Sequence, residues 1–464
     1  MVRIFNHYFN RRTVLQVMIY SLLIFITLIA SLAMQAGAGF FNITAISAGL
    51  GRGILMVSGI VVVNFSLGLY ERPRTLNQGQ MRARAVLSFL CSMGIAFGIL
   101  QLFPLLPPYN NEPVLNALFI VIGSVLVVRF FGGDVLPMTY KRQRVLIFGT
   151  GSRAKIVGES LKKNDPGIEL VGYVSGPQEN NLDAAVRSFF PYQSNLSDIV
   201  KENNVDEIIV ALNERRGGSM PLRELLDCKL NGIHVIDIAT HFERFLGQIH
   251  LDAVSAGWLI FGGGFQQGFA RSAVKWLMDI LGASVLLLVA SPVMLVAAFF
   301  IFLESGGPIL YRQERVGLHG RIFKVIKFRS MRTDAEKDGT PRWASAADTR
   351  ITRVGKIMRK MRIDELPQIF CVLKGDMSLV GPRPERPYFV EQLTREIPFY
   401  AIRHSIKPGL TGWAQVRYHY GSSVEDTQKK LQYDLYYVKN HSWFLDVVIL
   451  FETVGVVLTG KGAQ

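Results

Sequence analysis

Apolar positions cluster into four stretches within the first 140 residues: 14–34, 50–69, 85–106 and 114–131. Each approaches the roughly 20 residues that cross a hydrocarbon core of about 30 Å, so the pattern predicts four transmembrane helices. From residue 144 the periodicity changes. The runs RVLIFG, IELVGYV, VDEIIVA and IHVIDI alternate with helical segments near 152–162, 194–203 and 221–230. Strands separated by helices predict βαβ units and a parallel sheet. A fifth strongly apolar stretch, 276–303, opens the last third, where apolar positions then mix with many cations.

The loops orient the first four stretches. Arg3, Arg11 and Arg12 precede the first, Arg72, Arg74, Arg82 and Arg84 lie between the second and third, and Lys141, Arg142 and Arg144 follow the fourth. Residues 35–48 and 101–112 contain no Lys or Arg. The excess of cations on cytoplasmic loops then predicts four crossings with both ends in the cytoplasm. The first stretch is too long for a cleaved signal peptide and no A-x-A site follows it. No ionisable side chain lies deep in these spans, and Arg129 can snorkel, so anchoring, oligomerisation or lipid contact is expected rather than an ion pathway.

The fifth stretch is basic on both sides, with Arg271 and Lys275 before it and Arg312, Arg315, Arg321, Lys324, Lys327 and Arg329 after it. Crossing would carry that charge to the outside. Asp279 inside a span would cost roughly 2–3 kcal/mol if unpaired near the centre. Near the middle, Ser291-Pro292 removes a backbone donor and offers a hydroxyl to the carbonyl it frees. A helix over 271–303 that enters, breaks at Ser291-Pro292 and returns to the same face accounts for all three features. A Pro-kinked span is the competing reading.

Composition adds to this picture. The chain has 464 residues, 49% hydrophobic, with a net charge of +15 and a mean hydropathy of +0.26. The length suits two or three domains and the hydropathy suits several membrane segments. The charge suits phosphorylated ligands or anionic headgroups. Nucleic acid is not expected, because no recognition motif is present. Cys91, Cys228 and Cys371 are too few and scattered for a disulfide framework, which fits a reducing compartment.

Candidate chemistry concentrates in residues 351–385, ITRVGKIMRKMRIDELPQIFCVLKGDMSLVGPRPE. Asp364 and Glu365 follow a basic run (Arg353, Lys356, Arg359, Lys360, Arg362), and a rigid loop, Gly381-Pro382-Arg383-Pro384, comes next. Acids working beside cations, with a fixed arginine nearby, suggest metal-assisted chemistry on a phosphate. The alternative is a solvated acid pair in a basic helix. Lys327 and Arg329 alternate along an apparent strand and share one face, fitting a phosphorylated ligand or a membrane-surface patch. In the middle third, Gly149-Thr150-Gly151-Ser152-Arg153-Ala154 follows a strand as G-x-G-x-x-A, a dinucleotide loop centred on Gly149, Gly151 and Ala154. The next strand ends Tyr173-Val174-Ser175-Gly176 without an acid for a ribose, and no Tyr-x-x-x-Lys base follows. A bound nucleotide or anion and a structural or regulatory module both stay open.

Four motifs together resemble the catalytic domain of the bacterial monotopic phosphoglycosyl transferases. They are Gln313-Glu314-Arg315-Val316-Gly317 followed by residues 323–331, Asp364-Glu365-Leu366-Pro367-Gln368, residues 375–385 with the Arg383 loop, and residues 407–416, KPGLTGWAQV. The order of parts resembles the large members, undecaprenyl-phosphate sugar-1-phosphate transferases that initiate capsule and exopolysaccharide units. The resemblance implies a membrane α plus α/β protein: a four-helix transmembrane bundle (1–139), a Rossmann-like, CoA-binding-like cytoplasmic module (140–265) and an α/β monotopic catalytic domain with the re-entrant helix (266–464). It implies transfer of sugar-1-phosphate from a UDP-sugar to undecaprenyl phosphate with release of UMP, at the cytoplasmic face of a bacterial inner membrane. Asp364 would be the nucleophile, forming an aspartyl-phosphosugar intermediate, and Glu365 the Mg²⁺ ligand. Arg359 and Arg383, with Pro384 fixing the latter, would bind phosphates, Lys327 and Arg329 would meet the polyprenyl phosphate or the nucleotide, and Ser291 with Pro292 would set the helix break. Membrane lipids and a second copy of the chain, as a homodimer, are the other implied partners. Many relatives carry Asn where this chain has Cys371, which reads as a small packed residue. Two other functions fit less well: an NAD-dependent nucleotide-sugar enzyme lacks its acid and base, and a non-catalytic export scaffold gives Asp364-Glu365 no purpose.

Overall fold

The computed structural model describes residues 2–4, 7–9, 11–35, 43–70, 78–103, 110–130, 142–164, 168–176, 189–191, 195–212, 220–253, 264–265, 268–332, 350–418 and 423–459. The chain forms two compact units, one of residues 1–137 with 266–464 and the other of residues 138–265.

In the first unit a short antiparallel hairpin, β1 (Val2–Ile4) and β2 (His7–Phe9), precedes four apolar helices. These are α1 (Arg11–Gln35), α2 (Ile43–Ser66), α3 (Gln78–Leu102) and α4 (Asn111–Phe130). They fall on the four predicted stretches. Each packs on its sequence neighbour, and α1 also packs on α4. Leu28, Leu32, Met56, Ala96, Leu100, Val114 and Leu118 form the shared core. Between α2 and α3, Ser88 Oγ donates to Asn64 Oδ1 at 2.6 Å. All four helices are long and apolar enough to cross a membrane, as is a fifth, Phe269–Ser305.

That fifth helix runs 37 residues with Pro292 inside it. Proline has no N–H to give the carbonyl of Leu288, and Ser291 Oγ donates to that carbonyl at 2.9 Å instead. Both ends are tied to polar structure. At the start, Asp279 accepts from Ser378 Oγ (2.9 Å) and Leu379 N (3.0 Å) and lies 3.6 Å from Lys275, so the acid is paired. At the end, Glu304 accepts from the backbone N–H groups of Arg353 and Val354.

The remainder of this unit carries small strand pairs and short helices. The hairpin β8 (Leu310–Val316) and β9 (Ile322–Phe328) is antiparallel, and β10 (Ser378–Val380) pairs in parallel with β11 (Gly409–Thr411). Helices Val424–Asn440 and Trp443–Thr459 close the chain. Tyr436 and Tyr437 are both buried in the core with their hydroxyls paired: Tyr436 pairs with His7 Nδ1 (2.7 Å), and Tyr437 donates to Asp446 and the Val380 carbonyl. The helix Trp443–Thr459 packs on α2. An ideal Cβ on Gly455 would lie 1.9 Å from the Ser66 carbonyl oxygen, so only glycine permits this approach.

The second unit is a five-stranded parallel sheet ordered β5-β4-β3-β6-β7, with β3 Gln143–Phe148, β4 Ile168–Val174, β5 Phe189–Phe190, β6 Glu207–Val210 and β7 His234–Asp237. Helices α5 (Ser152–Asn164) and α8 (Ile238–Leu246) pack on one face, and α6 (Leu196–Glu202) and α7 (Leu222–Leu230) on the other. The strands and helices predicted for this region are all present; β5 and α8 are additions.

Candidate active site

The acid pair lies on a single-residue reversal. Arg362 adopts a left-handed conformation (φ 56°) and starts the 3-10 helix Ile363–Gln368, which continues as the α-helix Ile369–Lys374. At three residues per turn, neighbouring side chains diverge by about 120° rather than the 100° of an α-helix. Asp364 and Glu365 therefore face different surroundings. Pro367 sits inside this 3-10 segment and has no backbone N–H to donate there.

Glu365 meets cations. Arg383 grips it with both terminal nitrogens, at 2.6 Å to Oε1 and 3.4 Å to Oε2, and Lys327 Nζ lies 3.3 Å from Oε1. Burial alone would raise this carboxyl's pKa, but Arg383 and Lys327 overcome it and hold the group far below the usual carboxylate range. Lys327 arrives from β9, against which the 3-10 helix packs.

Asp364 is 9% exposed and, among the described residues, has no hydrogen-bond partner. Burial, then the charge on Glu365, pushes its pKa up, while Lys327, Arg359 and Arg383 pull it back. A carboxylate oxygen that accepts no hydrogen bond keeps its lone pairs available. Arg359, at the end of the helix Arg353–Lys360, donates to Ser330 Oγ at 3.2 Å and is near enough to contribute to the field at Asp364.

Arg383 projects from a loop pinned by close backbone contact. Gly381 N donates to the Thr411 carbonyl and Gly409 N to the Pro382 carbonyl. An ideal Cβ on Gly409 would stand 2.0 Å from Gly381 N, which demands glycine. The Pro384 carbonyl accepts from Arg315 at 3.0 Å.

The structure thus brings together Asp364, Glu365, Lys327 and Arg383, with Arg359 and Pro384 on adjoining positions. Arg329 is placed otherwise. It is buried, and its guanidinium donates to the carbonyls of Ser305 and Gly306 and to Ser305 Oγ, capping the end of the long helix. Lys327 faces Glu365 instead, so the shared face expected from alternation leads to two different partners. Cys371 is buried, with its sulfur 3.7 Å from the Lys324 carbonyl oxygen, as a packed residue would be. Two contributors had no signal in the sequence: Arg403, which donates to the Arg383 carbonyl at 2.9 Å, and Lys275, which donates to the Val380 carbonyl at 3.0 Å.

The glycine loop of the second unit has a packing explanation. Gly149 has φ 132°, and an ideal Cβ there would lie 2.7 Å from the Ala211 carbonyl oxygen. Ala154 is fully buried in the core beneath α5. Gly151 directly precedes α5.

Among the described residues no group of three or more His, Cys, Asp or Glu side chains is placed to hold a metal. The acid pair offers hard oxygen donors, and Mg²⁺ is usually bound by one or two carboxylates together with substrate phosphates. The donor set therefore fits that ion only when a phosphorylated substrate supplies the remaining oxygens.

Residues 270–460 match the family model described as bacterial sugar transferase. A UDP-N-acetylgalactosamine-undecaprenyl-phosphate N-acetylgalactosaminephosphotransferase of Aeromonas hydrophila is 46% identical over 242 residues, which cover 52% of this chain and 56% of that protein. The match therefore spans little more than half of that relative. A UDP-glucose:undecaprenyl-phosphate glucose-1-phosphate transferase of Xanthomonas campestris pv. campestris is 32% identical over 406 residues, covering 82% of this chain and 83% of the relative. One with the same name from Escherichia coli (strain K12) is 30% identical over 345 residues, with 72% of each chain covered.

Proposed function

The chain belongs to the bacterial sugar transferase family, and from that premise we propose that it transfers sugar-1-phosphate from a UDP-sugar to undecaprenyl phosphate, releasing UMP. The observation that carries this reading is the asymmetric acid pair: Asp364, buried and without a hydrogen-bond donor among the described residues, beside Glu365, which Arg383 and Lys327 clamp. In the first step an Asp364 carboxylate oxygen attacks the β-phosphorus. The bond from that phosphorus to the bridging oxygen breaks, and UMP leaves with the electron pair. In the second step a phosphate oxygen of undecaprenyl phosphate attacks the same phosphorus, and the bond to Asp364 breaks. Splitting the transfer lets each anionic substrate meet a neutralised site in turn.

Arg383 and Lys327 supply fixed positive charge where the diphosphate would lie, and Arg383 presents a planar fork suited to bidentate phosphate contact. Arg359 adds to that field. Mg²⁺, held by Glu365 and substrate oxygens, would neutralise charge on the diphosphate.

The lipid substrate requires a site at headgroup level. Both ends of the helix Phe269–Ser305 bind the same polar structure, through Lys275 and Asp279 at one end and Glu304 and Ser305 at the other. That supports a helix returning to its face of entry, with Ser291-Pro292 at the turn. The end of α2 and the segment before α1, which the loop charges assign to the cytoplasm, contact the catalytic part through Gly455 and Tyr436. This supports a cytoplasmic site, where UDP-sugars are supplied.

Membranes containing the protein, given undecaprenyl phosphate, Mg²⁺ and radiolabelled UDP-glucose, UDP-galactose or their N-acetylated counterparts, test the reading. Labelled lipid and UMP are expected from the wild type and not from Asp364→Asn. Absence of labelled lipid with every sugar would overturn the activity.

A further inference from the structure

Three backbone carbonyls in and beside the loop carrying Arg383 each accept from a cation on a different element. Lys275 Nζ donates to Val380 (3.0 Å), Arg403 to Arg383 (2.9 Å) and Arg315 to Pro384 (3.0 Å). Arg403 is the most enclosed of the three. Its side chain is 6% exposed and pairs with Asp434, 4% exposed, at 2.8 Å. It also donates to Tyr400 Oη at 2.7 Å and stacks over that ring at 5.1 Å. One guanidinium thus joins the turn Tyr400–Ser405, the helix Val424–Asn440 and the backbone of the residue that grips Glu365.

We propose that Arg403 is a positioning residue: through the Arg383 carbonyl it fixes the backbone from which the Arg383 guanidinium reaches Glu365. The inference rests on the role assigned to Arg383 above. Stability alone does not explain the arrangement, since a buried ion pair often contributes little beyond well-packed apolar residues. Lysine cannot replace it, because one ammonium lacks the planar fork that serves Asp434, Tyr400 and the carbonyl together. Misplacing a reacting group by about 1 Å costs on the order of 100-fold in rate, so a loop shift too small to unfold the protein is enough to register.

A double-mutant cycle on UMP release tests the coupling, using Arg403→Lys, Arg383→Lys and both together. Each single change is expected to lower kcat/KM by about tenfold or more, and Arg403→Lys to cost under about threefold once Arg383 is already lysine. Effects that multiply fully would overturn the proposal, because a general packing defect acts whatever side chain occupies position 383. Wild-type kcat/KM in Arg403→Lys would overturn it while leaving the role of Arg383 intact. Wild-type kcat/KM in Arg383→Lys would remove that role and the inference with it. If Arg403→Lys does not fold, Tyr400→Phe removes one partner of Arg403 without changing charge, and the same cycle and criteria apply.

Discussion

Asp364 and Glu365 are chemically similar neighbours whose environments differ because a 3-10 turn separates their directions by about 120°. One meets Arg383 and Lys327; the other meets no donor among the described residues. That asymmetry depends on a backbone contact remote from either acid. Gly409→Ala would place a Cβ 2.0 Å from Gly381 N, forcing β10 and β11 apart. It is expected to destabilise by about 1–3 kcal/mol and to cut turnover by about 100-fold through displacement of Arg383. Thermal unfolding and UMP release measure the two effects. Unchanged turnover would show that the loop position is unimportant. The acids, Arg383 and Lys327 were legible as motif residues. Arg403 was not, because an ion pair to Asp434, 31 positions away, leaves no periodic trace.

Among the elements, the long apolar helices and the parallel strands were legible because burial imposes a period or a length on the sequence. The capping of the Phe269–Ser305 helix by Arg329 was not legible. Alternation along β9 places side chains on a face but does not say that the strand ends there, which frees Arg329 to turn toward Ser305 and Gly306. If this helix returns to its face of entry, single cysteines at Arg271 and Gly307, in a background without Cys91, Cys228 and Cys371, react with an impermeant maleimide from the cytoplasmic side alone. Labelling of the two positions from opposite sides would contradict the return.

In the whole molecule, the sequence separates an anchor from a catalytic region, whereas the structure packs residues 1–137 and 266–464 as one unit. His7 ahead of α1 reaches Tyr436 and stands edge-on to Trp413, a contact between positions more than 400 apart that no local pattern announces. Burial, then Arg417, lowers the His7 pKa to about 3; burial, then Arg403, lowers that of His404 to about 4. Below the ordinary value of 6.5 the unfolded chain takes up protons that the folded chain refuses. Stability from these groups is therefore complete above about pH 6.5 and falls as pH drops toward 4. Unfolding temperatures in detergent should decline across that window, less steeply in His7→Phe, and identical slopes would remove His7 as a contributor.

In the proposed mechanism Asp364 carries the phosphosugar between two substrates. Protein incubated with UDP-sugar radiolabelled at the β-phosphate, without lipid acceptor, should retain label after acid quenching and lose it when undecaprenyl phosphate is added. Asp364→Asn should retain none. Wild-type protein that never acquires label, or equal labelling of Asp364→Asn with its amide intact, would remove Asp364 as the carrier.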